Sequence, residues 1–168
     1  MLRSRKLLPV IAMMFVLALF STSSLFAHCQ IPCGIYTDDI RIKMINEDID
    51  TIEKSMKQII ELSAQENINY NQLVRWITNK EEHANKIQEI VDVYFLTQRI
   101  VPVDPADAAA YQDYTKKLVL LHQMLVYAMK CKQTTDLDNV AKLRSLVKQF
   151  DEAYFGPAER EHLKEHKE

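Results

Sequence analysis

Beyond residue 36 the chain sets apolar side chains three and four positions apart in four successive stretches. In the first, Ile45, Ile49, Ile52, Met56 and Ile59 share one helical face, with Asp38 and Asp39 in the opening turn. The second carries Leu73, Ile77, Ala84, Ile87, Val91 and Tyr94 in the same rhythm, interrupted by Lys80. VPVDP at 101–105 is the proline-rich connector. There Asp104 is placed to cap the next helix and Pro105 to take its first position. The third stretch repeats the pattern through Tyr111, Tyr114, Leu118, Leu121, Leu125 and Ala128. The fourth opens near Thr135 or Asp136, runs through Val140, Leu143, Val147, Phe150 and Tyr154, and stops at Gly156 and Pro157. Sustained helical spacing with short connectors predicts an all-α fold, an antiparallel up-and-down four-helix bundle over 37–157. No strand pattern or internal repeat competes. The tail 158–168 is charged and reads as an exposed extension.

The first 27 residues follow a different pattern. LRSRK gives a positive start, LLPVIAMMFVLALF an apolar run, and STSSLFA a small-residue exit ending at Ala27. The run is short for a membrane span, which takes about 20 residues. The pattern predicts a secretory signal cut by signal peptidase after Ala27, and so a protein exported to the periplasm or secreted. An uncleaved anchor is the alternative. Leu25 is acceptable but not ideal three residues before such a cut. A lipoprotein reading fails because His28, not a small residue, precedes Cys29.

Charge narrows the class a little further. The net charge of −2 is too near neutral to point to nucleic acid, and loss of Arg3, Arg5 and Lys6 with the signal makes it −5. Few glycines and prolines suit a compact helical domain.

Bundles often hold metals in their cores, commonly through two Glu-x-x-His pairs. Here the residue three before His83 is Lys80 and that three before His122 is Val119, and the match Glu159–His162 lies in the tail. His122 is expected as a hydrogen-bonded histidine at the core edge, and Cys131 as a small semi-buried side chain. No phosphate loop, nucleophile elbow or catalytic carboxylate pair stands out. The bundle reads as scaffold.

The stretch HCQIPCGIY, residues 28–36, is where chemistry concentrates. A cut after Ala27 would give His28 a free α-amino group, whose ordinary pKa is about 8. That amine, the Cys29 amide nitrogen and the Cys29 thiolate can close two adjoining five-membered chelate rings on one ion. Pro32 can turn the chain so that the Cys33 thiolate fills the fourth corner. Two nitrogens and two thiolates in a plane suit a tetragonal ion such as nickel(II) or copper(II), not tetrahedral zinc. The His28 imidazole can reach an axial place, Gly34 frees the backbone, and Tyr36 can stand over the open face. A Cys29–Cys33 disulfide in an exported protein is the competing reading, and thiol exchange is another. Neither has a use for a histidine at the new terminus.

The pattern H-C-x-x-P-C-G-x-Y resembles the nickel hook of nickel-containing superoxide dismutases, carried here by His28, Cys29, Pro32, Cys33, Gly34 and Tyr36. The resemblance extends more weakly to about residue 155 as a four-helix bundle. It implies dismutation of two superoxide anions to dioxygen and hydrogen peroxide, with nickel alternating between Ni(II) and Ni(III). It implies the His28 amine and imidazole, the Cys29 amide and thiolate and the Cys33 thiolate as ligands, Tyr36 as a gate, and a homohexamer. The chain departs from the pattern in its export-like leader. It departs again where some members support the axial imidazole with a glutamate and an arginine; Met44 and His83 fall near those places, with Arg41, Glu81 and Glu82 nearby. His83 and Arg41 are the candidates for that support. An exported helical protein that binds metal or carries a disulfide without turnover is the alternative function.

Overall fold

The computed structural model describes residues 36–156, and over them the chain is helical. Helix α1 spans Asp38–Ser63 and α2 Tyr70–Glu89, which runs on as a π-helical segment, Ile90–Arg99. Helix α3 spans Ala108–Gln133 and α4 Leu137–Tyr154.

Long-range side-chain bonds fix the directions. Along α1, Asp38 meets Tyr94, Asp48 meets His83 and Ser55 meets Asn79, so the partner's number falls as α1 advances. Between α2 and α3, Gln88 reaches the Leu125 carbonyl and Lys80 the Cys131 carbonyl. Between α1 and α4, Arg144 reaches Asp50 and Glu53, while Tyr154 reaches Asp38. Each helix packs on its sequence neighbours, and α4 returns to α1. That closes an antiparallel up-and-down ring of four helices, the fold the spacing predicts.

The core is the predicted stripes turned inward. Ile45, Ile49, Ile52 and Met56 of α1 are fully buried and Ile59 nearly so. They meet Ala84, Ile87, Val91 and Phe95, then Leu121, Met124, Ala128 and Cys131, then Leu143, Leu146, Val147 and Phe150. At one end Phe95, Phe150, Tyr154 and Phe155 stack edge on face, with ring centres 5.0–5.5 Å apart in the Phe95–Phe150, Phe95–Tyr154 and Tyr154–Phe155 pairs. Such geometry sets the positive ring edge against the negative ring face.

Several expectations need correction. Ile77 is exposed and Leu73 only half-buried, and no side chain from 70 to 79 reaches full burial. Lys80, which seemed to break the stripe, is buried. Its ammonium donates to the carbonyls of Cys131 (2.9 Å), Lys132 and Thr134 (3.3 Å), closing the open C-terminal end of α3. The α3 cap is Asp107, whose side chain accepts from Ala110 N at 3.1 Å. Asp104 instead accepts from Ala106 N in the turn before it. The fourth cap is Asp136, one of the two expected residues, accepting from Asp138 N. Tyr111 is exposed, and His122 is exposed on α3 and not at the core edge. Cys131 is completely buried rather than semi-buried.

Candidate metal centre

The hook residues His28, Cys29, Pro32, Cys33 and Gly34 lie outside the described residues, as do the signal segment and the charged tail. Tyr36 is the first described residue and is exposed; Thr37 follows, and α1 begins at Asp38.

At this entry point the bundle gathers an ionic network. Asp38 accepts from Arg99 through Nη2 (2.7 Å) and Nε (3.0 Å), from the Tyr94 hydroxyl (2.5 Å) and from the Tyr154 hydroxyl (2.7 Å). The Tyr94 oxygen in turn accepts the Thr37 N–H at 2.9 Å. Burial works against the Asp38 charge, but the bonds from Arg99, Tyr94 and Tyr154 outweigh it and hold the carboxyl below its usual range. Burial, then the bond to Asp38, pushes the Tyr94 phenol up to about 12 and shifts Tyr154 upward too. At neutral pH both tyrosines are therefore donors to a fixed carboxylate.

The π-helical winding makes this convergence possible. Tyr94 and Arg99 are five residues apart, which at α-helical pitch would separate their directions by about 140°. In a π-helix residue i bonds to i+5, so positions five apart come round to one face. The winding shows in the Ile100 N to Phe95 O bond at 2.9 Å.

Of the two candidates for supporting the axial imidazole, neither meets the other. The Arg41 guanidinium stacks over the Tyr94 ring, 4.9 Å from its centre, with Nη1 3.8 Å from the Met44 sulfur. Its Nε is buried and has no hydrogen-bond partner among the described residues. His83 Nδ1 lies 2.6 Å from Asp48 Oδ1, ten residues and about 15 Å along α1 from Asp38.

The rest of the bundle offers little chemistry. No three His, Cys, Asp or Glu side chains converge on a metal position among the described residues. Cys131 is a free thiol, and burial pushes it up to about 11 against the opposing Lys80 charge. At neutral pH it is a protonated, inert thiol. The groove between α1 and α4, about 760 Å³, is lined by Ile42, Glu53, Val140 and Arg144 and holds no donor set. No described helix is long and apolar enough to cross a membrane.

Sequence reasoning missed Arg99 and gave Tyr94 and Tyr154 only a packing role. The available signal was the five-residue step from Tyr94 to Arg99 where the 3–4 rhythm stops.

The helical scaffold lacks a metal site of its own among the described residues. The stretch 28–36 carries one histidine and two cysteines, side-chain types that can bind nickel. A family model described as nickel-containing superoxide dismutase matches residues 23–157, which includes that stretch and all four helices. The chain belongs to the nickel-containing superoxide dismutase family: it is an oxidoreductase with superoxide as substrate and nickel as cofactor. Neither the curated proteins nor the solved structures gave a match.

Proposed function

We propose that the protein disproportionates superoxide at a nickel hook created by cleavage after Ala27. His28 supplies its new amine and its imidazole, Cys29 its amide nitrogen and thiolate, and Cys33 a second thiolate. One superoxide is oxidised to dioxygen and a second, taking up two protons, is reduced to hydrogen peroxide. Nickel held by these residues would supply one-electron redox chemistry between Ni(II) and Ni(III). The protein's part is to make that alternation accessible. The Cys29 and Cys33 thiolates and the Cys29 amide would donate enough charge to favour the higher state, and the His28 imidazole would be a further ligand to it. Tyr36 restricts entry and orients small oxygen species; Pro32 and Gly34 shape the turn.

The observation that carries this reading is the placement of HCQIPCGIY directly after SSLFA, within the matched range and ahead of a bundle that is scaffold. Processing by signal peptidase implies work outside the cytoplasm, in the periplasm or the medium. Superoxide made there would not readily cross a membrane as an anion. A terminal segment is ordinarily mobile, so packing against a neighbouring subunit would favour the site, as in a hexamer.

The deciding experiment changes one residue. While Ala27 is attached, the His28 nitrogen is an amide whose lone pair is delocalised into the carbonyl. A chain beginning at His28 is expected to bind nickel and dismutate superoxide, and one beginning at Ala27 to do neither. Equal activity from the two eliminates the hook. Light scattering of the processed, loaded protein checks the assembly.

A further inference from the structure

Among the described residues, Arg41 is a half-buried charge that no carboxylate meets. The two aspartates nearest it in the chain are taken, Asp38 by Arg99 at 2.7 Å and Asp39 by Lys43 at 2.9 Å. Its guanidinium lies over the Tyr94 ring, 4.9 Å from the centre, and its Nε is closed off with no hydrogen-bond partner. The acceptor it does reach is the Met44 sulfur, 3.8 Å from Nη1. A thioether is a weak acceptor, so the cation is left poorly satisfied.

That sulfur is also open to solvent. Met44 is 38% exposed, and Met129, at 40%, is the one described methionine that compares. Met56 and Met124 are fully buried. The family's activity supplies an oxidant in place, because dismutation of superoxide yields hydrogen peroxide.

We propose that Met44 is a site of peroxide modification, and that its sulfoxide oxygen gives Arg41 the acceptor it lacks. A sulfur lone pair attacks one peroxide oxygen, the S–O bond forms and the O–O bond breaks. The sulfur loses two electrons, and the departing hydroxide takes the proton of the transferred oxygen and leaves as water. Arg41 stays protonated throughout. The methionine side chain is flexible enough to turn the new oxygen toward Nη1, where a charge-assisted bond replaces a weak one. Sulfoxide ordinarily disrupts a structure because it forces a polar group into an apolar setting. Met44 is set instead between solvent and an unpaired cation. Arg41 pinned there bears on Tyr94, which already bonds Asp38 and the Thr37 N–H. Oxidation therefore ties α1 more firmly to the π-helical segment, and reduction of the sulfoxide reverses it.

The test adds hydrogen peroxide to the purified chain and reads each methionine by peptide mass spectrometry. Met44 and Met129 are expected to oxidise at comparable rates, at least about tenfold faster than Met56 and Met124, following exposure. An M129L background then isolates Met44, and M44L in that background subtracts whatever peroxide does to the cysteines. Against that control the thermal midpoint, followed by circular dichroism, is expected to rise by about 3 °C on oxidation, the scale of one charge-assisted bond. Arg41→Gln is expected to cancel the rise. Met44→Gln, which sets an amide oxygen in the same place, is expected to raise the midpoint without peroxide.

A Met44 that oxidises as slowly as Met56 overturns the proposal, as does a midpoint that stays level or falls when Met44 is oxidised. A rise that survives Arg41→Gln overturns it too, since the oxygen would then have found another partner. Should Arg41→Gln not fold, a Met44→Gln midpoint no higher than that of M44L overturns it in turn. None of these readouts uses nickel or dismutation, so they stand or fall apart from the hook.

Discussion

The two ends of the bundle are built differently. At the end where the chain enters, Asp38, Tyr94, Arg99 and Tyr154 tie α1, the π-helical segment and α4 together over stacked aromatic rings. At the opposite end, α1 and α2 run on past the point where Lys80 closes α3, and their apolar side chains stand in solvent. Tyr70 is 69% exposed, Val74 59%, Ile60 46% and Ile77 40%. One end is polar, crosslinked and rigid; the other is a two-helix hairpin with a thin core. The difference teaches that burial along a helix depends on how many neighbours cover it: three elements converge on Asp38 at one end, and the apolar side chains at the other stand in solvent.

The sharpest way to break the comparison is to remove function without touching either end. Cys29→Ser or Cys33→Ser replaces a soft, strongly donating thiolate with a hard, weak hydroxyl. Each is expected to abolish nickel-dependent dismutation while the helical signal and thermal midpoint of the bundle hold. Cys131→Ser is expected to leave dismutation intact, since that thiol is buried and protonated. Substantial activity in either hook variant, or dependence on Cys131 alone, would reassign the ligands.

A smaller effect tests the far end. Lys80→Ala leaves the last carbonyls of α3 without the ammonium that closes them. Chemical denaturation should show a loss of about 2–4 kcal/mol, from charge-assisted bonds and the void together. Nickel affinity, measured where the variant is still folded, should not change. A parallel loss of nickel would mean that the two ends are coupled through α2.

The contrast also shows why some of the structure was legible and some was not. Ile45, Ile49, Ile52 and Met56 were readable because the part of α1 inside the four-helix ring buries every residue of its stripe. Ile77 carries the same spacing and fails, because periodicity reports which face turns inward and not whether a third and fourth helix are there to cover it. Lys80 looked like an interruption. A long ammonium side chain that reaches three carbonyls can sit in an apolar stripe, and no local pattern announces those carbonyls. Arg99 was hidden by the change of helical pitch, since a search at three and four never pairs it with Tyr94. The family was legible for the opposite reason: HCQIPCGIY is a run of adjacent residues, and the family model over 23–157 bears out the resemblance it carries.

Acid separates the two ends more gently. The Asp38 carboxyl is held below its ordinary value in the folded state, so its contribution is present above the unfolded value of about 3.9 and is lost as pH falls through the lower, folded one. Stability of the unsubstituted protein should therefore fall below about pH 4, and that of D38N should fall less steeply, so the gap between them narrows. A gap that stays constant from neutral pH into acid would show that Asp38 contributes by shape and not by charge.

The smallest effect belongs to the exposed hairpin. Ile77→Lys puts a charge on a face that is already 40% exposed, with only α1 to pack against along this part of α2. The covered part of Ile77 contributes about 1 kcal/mol, some of which the aliphatic stem of a lysine retains, so the loss should be no more than about 1 kcal/mol. Denaturation midpoints for the variant and the parent should agree within that margin at every protein concentration. A larger loss that grows with concentration would mean that the apolar tip is covered in solution by another copy of the chain. The thin end would then be an interface, and the contrast would be between a site held by one chain and a surface completed by two.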